Sequence, residues 1–257
     1  MLTIAATAVV HAEGAPEPDV AERYPRALVD RPVVLPRGGN EGSVGFVLME
    51  RSFDGKSHPI ALVEPHLRAA IGTVEIELGA SVMLLERLDL DYYVPLDTLA
   101  ELSGAVRHGL RPDLSIGLEI EVGSPTSYVT VATHGVVTRK VRVGTAAALE
   151  ASFALGEIYR EDRPAFSGNE PYLEHAFSAI GQLRAQAQLA AALALEARAR
   201  IAFNSQPAGH TGLDNGVRML ASLTPIVELS VGLDVYTTGS SVEVFTIGVG
   251  VAFRRVP

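Results

Sequence analysis

Hydrophobic and polar residues alternate almost without a break between Phe177 and Phe203. Apolar side chains fall on odd positions, whereas the Gln, Arg and Glu side chains all fall on even ones. A period of two predicts β-strand, although the alanine content alone favours helix. In a helix, at ~100° per residue, these polar side chains would surround the axis and leave no apolar stripe. A single strand of this length would exceed roughly 80 Å, so the segment is predicted to turn near Ala190 to Ala192 and form a hairpin.

The same alternation recurs along most of the chain and predicts twelve strands. Val74 to Leu84, Leu114 to Gly123 and Val227 to Val235 each carry apolar residues on one face and mostly Glu, Ser, Gly or Asp on the other. Such segments are long enough to cross a bilayer, because a tilted membrane strand needs ~9–11 residues. The predicted strands are Gly42 to Phe53, Pro59 to Ile71, Val74 to Arg87, Leu96 to His108, Leu114 to Gly123, Thr126 to Val137, Val141 to Glu157, His175 to Leu189, Ala192 to Asn204, Gly216 to Thr224, Val227 to Thr237 and Val242 to Arg254.

The predicted connections differ between the two ends of these strands. The short ones are Gly72-Thr73, Gly109 to Asp113, Thr138 to Lys140, Ala190-Ala191 and Pro225-Ile226. The connections between them include longer or more polar ones, namely Asp54 to His58, Leu88 to Pro95, Ile158 to Glu174 and Ser205 to Asn215. An even number of strands, with short turns at one end and longer loops at the other, is typical of outer-membrane barrels. The sequence therefore predicts an all-β fold, a transmembrane antiparallel up-and-down β-barrel of about 12 strands.

A short motif adds to this resemblance. Arg31-Pro32-Val33-Val34-Leu35-Pro36-Arg37-Gly38 resembles the Arg-Pro-x-x-Leu-Pro-x-Gly lead-in before the first strand of small, porin-like outer-membrane barrels of Gram-negative bacteria. The resemblance covers the chain from Asp30 onward. It implies a place in the bacterial outer membrane, contact with outer-membrane lipid, and a partnership with the barrel-assembly machinery during biogenesis. That machinery reads a terminal aromatic residue, for which Phe253 is the candidate, and the chain departs from the pattern because Arg254 to Pro257 follow it.

The N-terminal region differs from the predicted strands in sequence pattern and composition. Leu2 to Val10 is a short apolar stretch, and Ala12 is a small residue placed as at a signal-peptide cleavage site. We therefore expect residues 1–12 to be the remnant of a signal peptide. The following stretch is rich in proline and charge, so residues 13–41 are predicted to form a periplasmic tail and residues 42–257 the barrel.

Composition fits a membrane barrel. The mean hydropathy of +0.23 and the 47% hydrophobic content are high for a chain without the ~18-residue apolar run of a membrane helix. A barrel hides its lipid face in the alternation, so these observations agree. The net charge of −9 argues against a nucleic-acid partner, which needs a basic face. The chain has no cysteine, which excludes disulfides and thiolate metal sites, and no cofactor is expected.

Charged residues of both signs occupy the polar faces of the predicted strands. If the apolar faces meet lipid, these residues line the lumen and are the candidates for selectivity: Glu75, Glu77, Glu101, Arg107, Glu119, Glu121, Arg142, Arg184, Arg198, Arg200, Glu228 and Asp234. The carboxylates concentrate on strands three to five and the arginines on strands seven to ten. Such a polarised wall would orient a dipolar solute and select ions by charge. Alternatively, the charges pair across the lumen as a salt-bridge network that satisfies buried groups.

The function predicted from these features is a passive channel for small polar solutes or ions. One alternative is a closed-lumen structural or binding barrel that acts through its extracellular loops. The long loop from Ile158 to Glu174 could fold outward as a ligand site or inward as a constriction, and we expect it to be a mobile surface loop. A surface enzyme is a further alternative, but no catalytic motif is present and the prediction is of a protein that is not an enzyme. A soluble ligand-carrying barrel would need the opposite orientation of the two faces.

Two kinds of side-chain cluster invite other chemistry. His66 near Glu64 and His134 near Thr130 have the residue types of acid/base pairs, and we interpret both histidines as hydrogen-bonded groups of the lumen wall. The acidic pairs Glu75/Glu77 and Glu119/Glu121 have the oxygen ligands of a hard cation. Carboxylates two positions apart on a polar wall are more often solvated or paired, so no metal site is predicted.

Overall fold

The computed structural model of the chain describes residues 25–53, 56–86, 100–123, 128–162, 173–205, 211–238 and 241–255. A short 3₁₀ helix, Leu28–Asp30, is followed by twelve strands. The strands are β1 (Asn40–Phe53), β2 (Lys56–Ile71), β3 (Val74–Glu86), β4 (Ala100–Arg111), β5 (Leu114–Gly123), β6 (Tyr128–Val143), β7 (Ala147–Asp162), β8 (Leu173–Ala190), β9 (Leu193–Asn204), β10 (Thr211–Ser222), β11 (Val227–Thr238) and β12 (Ser241–Arg255).

The twelve strands form one closed barrel. Each strand pairs antiparallel with its neighbours in sequence, and β12 pairs with β1 to complete the ring. This topology confirms the predicted all-β fold with its twelve antiparallel strands. Among the described residues, no helix has the length and apolar character to span a membrane.

One predicted turn is wrong. The chain does not turn at Thr138 to Lys140, because β6 continues to Val143 and the turn comes at residues 144–146. Thr138 and Lys140 both lie on the inner face of β6, where polar side chains belong. Gly144 supplies the turn instead, since its φ of 69° is one that side chains with a Cβ rarely adopt. Thr138 and Lys140 therefore mark the inner face of β6, and Arg139 between them lies on the outer face.

The two ends of the barrel differ. At one end, here called the turn end, lie the connections 72–73, 112–113, 144–146, 191–192 and 223–226, together with the start of β1 and the end of β12. The other end is called the loop end. Most residues of its connections, including 163–172, fall outside the described residues. Ile158–Asp162 of the predicted long loop belong to β7.

The outer and inner faces of the wall have opposite chemistry. Large apolar side chains point outward and are exposed, among them Leu48, Leu67 and Leu118. Their sequence neighbours point into the lumen, because side chains alternate across a strand, and many of these are charged. An exposed apolar belt around a polar interior is the arrangement of a transmembrane barrel. It is the reverse of a soluble barrel with an apolar core.

Residues 25–39, here called the strap, precede β1 and lie against the inner wall at the turn end, and Gly38 and Gly39 bond to the backbone of β2, at Ala70. Leu28 packs against Ala194 of β9 and Leu220 of β10. Leu35 packs against Ala70 of β2, on another side of the ring. The backbone N–H of Val33 donates to the carbonyl of Pro112 in the β4–β5 turn, at 3.0 Å. The strap therefore crosses the turn-end mouth of the barrel.

Candidate functional site

The lumen is the candidate site, and strand register decides which side chains reach it. Neighbouring strands bring inward residues side by side, as with Glu77 and Ala105, or Glu119 and His134. The twelve residues singled out from the sequence all occupy positions of this inward set: Glu75, Glu77, Glu101, Arg107, Glu119, Glu121, Arg142, Arg184, Arg198, Arg200, Glu228 and Asp234. They nevertheless have different surroundings. Arg142 pairs with Asp30 of the strap, and the others belong to a turn-end network with its extension along the lumen, a paired cluster and a set without ion pairs.

The first group is a continuous chain of ion pairs around the turn end, here called the turn-end network. It consists of Glu228, Arg254, Glu41, Arg68, Glu75 and Arg107, in that spatial order from β11 to β4. Arg254 is the link across the seam between β12 and β1, because it contacts Glu228 at 2.6 Å and also bonds to Glu41. Arg68 then joins Glu41, at 3.5 Å, to Glu75, at 2.9 Å. The network therefore spans the closing strands of the barrel.

Glu75 is the most enclosed member of the turn-end network. Its side chain is 0% exposed, and it accepts hydrogen bonds from Arg68 and from the backbone N–H of Leu35 in the strap, the latter at 2.7 Å. A buried carboxylate is stable only when charged or polar partners replace its water, and these groups do so. Arg107 lies 3.5 Å from Glu75.

Arg107 extends the network along the lumen. It bonds to Glu77 and, through its other terminal nitrogen, to Glu119 at 2.7 Å. His66 Nε2 contacts the second oxygen of Glu77 at 2.7 Å. His66 is therefore a partner of Glu77 and not of Glu64, its neighbour in the sequence. Arg107 thus bonds to the carboxylates of both Glu77 and Glu119, and His66 is a second partner of Glu77.

The second group is the paired cluster on β7 to β11. Arg198 lies between Asp214 and Asp234, at 3.0 and 2.9 Å, and Arg184 lies 3.2 Å from Glu150. Next to these pairs is a cavity of about 90 Å³. Its lining includes Arg184, Glu196, Arg198, Gly216, Arg218 and Asp234. A space of this volume is large enough for a few water molecules, and polar groups of both signs surround it.

The third group consists of charged residues that make no ion pair within 4 Å to any other described residue. Glu64, Glu101 and Glu121 lie on β2, β4 and β5, whereas Arg200 and Arg218 lie on β9 and β10. In the closed ring several strands separate β2 from β10 and β4 from β9. These carboxylates and guanidinium groups therefore lie on different sides of the lumen.

Three buried side-chain atoms in the wall have no partner among the described residues. They are His134 Nε2, Gln186 Oε1 and Arg198 Nε, the last on a guanidinium whose terminal nitrogen is paired. His134 is beside Glu119 in the β5–β6 register and makes no contact with Thr130 that would form an acid/base pair. Gln186 donates through its amide nitrogen to Glu196 at 3.0 Å. Within the described ranges, no three His, Asp or Glu side chains come together as a possible metal site.

Sequence reasoning missed several members of the site. The sequence pattern places Lys140 in a turn, and it places Arg254 at the end of the twelfth predicted strand without a part in the lumen, yet both are buried inner-wall residues. The available signal was the parity of their positions, since both continue the polar face of a predicted strand. No such signal exists for Arg31, which reaches the lumen from the strap.

Comparisons with known proteins bear on the fold. No sequence family and no curated protein matches the chain. Among solved structures, an outer membrane channel from Pseudomonas putida F1 matches 86% of this chain and 97% of its own, with 11% identity and a TM-score of 0.62. The translocator domain of the autotransporter NalP from Neisseria meningitidis matches 86% and 90%, with 11% identity and a TM-score of 0.55. The NanC porin matches 82% and 98%, with 8% identity and a TM-score of 0.55.

These similarities cover nearly the whole described barrel, and the three proteins are named as an outer membrane channel, an autotransporter translocator domain and a porin. At such low identity they show the fold and not the solute. Together with the closed ring of twelve strands, they show that this chain has the fold of the bacterial outer-membrane β-barrels.

Proposed function

We propose that the protein is a channel of the bacterial outer membrane that passes small polar solutes or ions by passive diffusion. In this orientation the turn end faces the periplasm and the loop end faces the outside, as in other barrels with short turns at one end. The outer-membrane channel from Pseudomonas putida and the NanC porin, which share the fold, support a channel reading.

The observation that carries the proposal is the set of charged side chains without ion pairs in the lumen. A wall built only for stability would neutralise its charges locally, because an uncompensated charge is costly. Here Glu64, Glu101 and Glu121 lie on one side and Arg200 and Arg218 on the other. Carboxylates facing guanidinium groups create a field across the path of a solute, which favours dipolar solutes and discriminates between ions.

The lumen residues that form ion pairs have a structural role in this proposal. Arg107, Arg184, Arg198 and Glu228 are engaged in ion pairs, so we assign to them mainly the shape of the lumen. Arg142 pairs with Asp30 of the strap near the mouth. Among the twelve candidates, Glu101, Glu121 and Arg200 are therefore the residues that we expect to set charge selectivity.

Single-channel recording in a planar bilayer with a salt gradient tests the proposal. We expect discrete current steps and a reversal potential that shifts in opposite directions in two variants. Glu101→Gln/Glu121→Gln lowers the preference for cations, and Arg200→Gln raises it. One charge acting through a partly solvated lumen corresponds to about 1 kcal/mol, or about a fivefold change in the permeability ratio.

The matched controls are Glu157→Gln and Arg139→Gln, which remove the same charges from outward positions. They are expected to leave the reversal potential unchanged. Equal shifts in control and lumen variants would contradict the assignment of selectivity to Glu101, Glu121 and Arg200.

A closed-lumen barrel is the second candidate function, and the strap is the observation that favours it. A strap packed across the turn-end mouth blocks at least part of the path. Folded protein that inserts into the bilayer without conducting, in every variant including those that release the strap, would favour this candidate and reject the channel.

A further inference from the structure

We propose that the strap, residues 25–39, is a gate that docks in the turn-end mouth of the barrel and leaves it to open the lumen. This inference rests on the proposed channel function and adds a closed and an open state to it. Four features carry it: a charged anchor, an apolar seat, a wall that stays paired without the strap, and a glycine hinge.

Arg31 is the charged anchor. Its guanidinium is 7% exposed and forms two hydrogen bonds with the carboxylate of Glu228, at 2.5 and 3.2 Å. The same guanidinium donates to the hydroxyl of Ser222 at 3.2 Å. Two-pronged bonds of this kind fix geometry as well as adding binding energy. Arg31 therefore locks the middle of the strap onto β10 and β11.

Backbone contacts hold the strap at other points of the ring. Lys140 Nζ donates to the carbonyls of Leu28 and Arg31, at 2.8 and 3.0 Å. The N–H of Leu28 donates to the side-chain oxygen of Gln188 at 2.8 Å. These bonds come from β6 and β8. Lys140 and Gln188 thus hold the strap backbone from two further strands of the mouth, in addition to β10 and β11.

An apolar seat excludes water beneath the strap. Leu28, Val29, Val34 and Leu35 are all buried, and Leu35 is only 3% exposed. Leu28 fills the space between Ala194 and Leu220, and Leu35 lies on Ala70. Burial of these side chains favours the docked state, because each removes apolar surface from water.

The wall remains charge-paired if the strap leaves. Glu228 would keep Arg254, and Glu75 would keep Arg68. Lys140 would still face Glu150, its neighbour in the β6–β7 register. Arg142 would lose Asp30, but its side chain is 52% exposed at the mouth, where water can replace that partner. The buried charges named here thus keep an opposite charge in both states, which is compatible with a two-state element.

Gly38 and Gly39 form the hinge between the strap and β1. Gly38 has a φ of 76°, which residues other than glycine rarely adopt. A Cβ at Gly39 would come within 2.9 Å of the carbonyl oxygen of Pro36. Two adjacent glycines can absorb a large change in backbone angles. The Gly38 N–H donates to the carbonyl of Ala70 at 3.0 Å, and the Gly39 carbonyl accepts from the Ala70 N–H at 2.9 Å. These bonds hold the end of the hinge on β2, so the strap swings on their N-terminal side while β1 keeps its pairing with β2 and β12.

The first experiment measures strap release directly, in the full-length chain. The chain has no cysteine, so Leu35→Cys places a single thiol under the docked strap. We measure its reaction rate with a water-soluble maleimide in the refolded protein. Adding Arg31→Ala is expected to raise the rate by about tenfold or more, because it removes several charge-assisted hydrogen bonds. Arg255→Ala, an outward and exposed residue at the same end, is the matched control and should leave the rate unchanged.

The second experiment measures conductance in planar bilayers. Arg31→Ala is expected to raise the open probability, and Arg31→Lys, which keeps the charge but not the two-pronged bond, to give an intermediate value. Leu28→Cys/Leu220→Cys joins the strap to β10. Oxidation should hold the lumen closed, and reduction should restore the current. Arg31→Lys carries the test if Arg31→Ala does not fold.

The outcomes separate the gate from the channel. Faster labelling at Leu35→Cys together with a higher open probability, and a current that the disulfide of Leu28→Cys/Leu220→Cys abolishes, supports the gate. Faster labelling with an unchanged current overturns the gate and leaves the channel standing. Release of the strap with no current in any variant overturns the channel itself. A labelling rate that Arg31 variants do not change, or a disulfide that does not form, overturns the docked anchor.

Discussion

At the scale of single residues, the structure separates charges that hold the barrel together from charges that face the solute path. Glu228 belongs to the first kind, because two guanidinium groups and a hydroxyl share its carboxylate. Arg200 belongs to the second, with no ion pair among the described residues. Sequence alone gives these two residues the same description, a charge on a polar strand face. Only the three-dimensional surroundings distinguish their parts.

Removal of the Glu228 charge is expected to destabilise the barrel. Glu228→Gln would leave Arg31 and Arg254 close together without their shared carboxylate, and breaking a buried pair in this way costs about 3 kcal/mol. Glu157→Gln is the control. The Glu157 side chain is 66% exposed, and its one ion pair among the described residues is with His175. We expect a change of at most about 0.5 kcal/mol there. Urea unfolding of the protein in lipid vesicles measures both, and equal losses would contradict a structural part for Glu228.

At the scale of elements, the hairpins depend on a few turn residues. The β2–β3 turn consists of Gly72 and Thr73, and Gly72 has a φ of 64°. A Cβ there would meet no atom within 4 Å. Backbone conformation, and not space, is therefore what requires glycine at this turn.

Gly72→Ala is expected to destabilise the folded barrel by about 1 kcal/mol, because a left-handed conformation is unfavourable for alanine. Gly135→Ala is the matched change within a strand, where the nearest atom to a new Cβ would be the carbonyl oxygen of Leu155 at 3.8 Å. No loss is expected at Gly135. The free energy of unfolding of both variants decides the matter, and a larger loss at Gly135 would refute the argument.

The strands were predictable because each carries its signal locally, in the alternation of its own residues. The fold class and the strand number therefore follow from the sequence, whereas the turn at Thr138 to Lys140 was misplaced because polar inner-face residues resemble a turn. Docking of the strap was not predictable. Arg31 meets Glu228 at a sequence separation of 197 residues, and Leu35 meets Glu75 at a separation of 40. No periodic pattern encodes such contacts.

At the scale of the whole molecule, the barrel is an apolar belt around a charged interior. Leu118 lies near the middle of β5 and is 69% exposed, and Ile71 lies at the turn end of β2 and is 70% exposed. The two side chains are thus equally uncovered by protein but differ in depth along the barrel. The transmembrane interpretation requires that they differ in tolerance to charge.

Leu118→Arg is expected to cost about 2–4 kcal/mol of stability in a bilayer, and Ile71→Arg about 0–1 kcal/mol, because the cost of a charge falls from the midplane to the interface. Unfolding in lipid vesicles measures the difference. In a detergent with a short acyl chain the difference should shrink. Equal costs in bilayers would contradict the placement of β5 across the hydrocarbon core.

The turn-end network also has a consequence for the closure of the barrel during its assembly. A barrel is complete only when its first strand finds its last, and at this joint Glu41 of β1 stands opposite Arg254 of β12. If β12 slipped by one residue against β1, alternation would turn the Arg254 guanidinium toward lipid and leave Glu41 with Arg68 as its remaining partner among the described residues. The correctly closed ring is thus distinguished from its shifted competitors by charge as well as by hydrogen bonds. The ion pair between Glu41 and Arg254 thus favours closure of the barrel in the correct register.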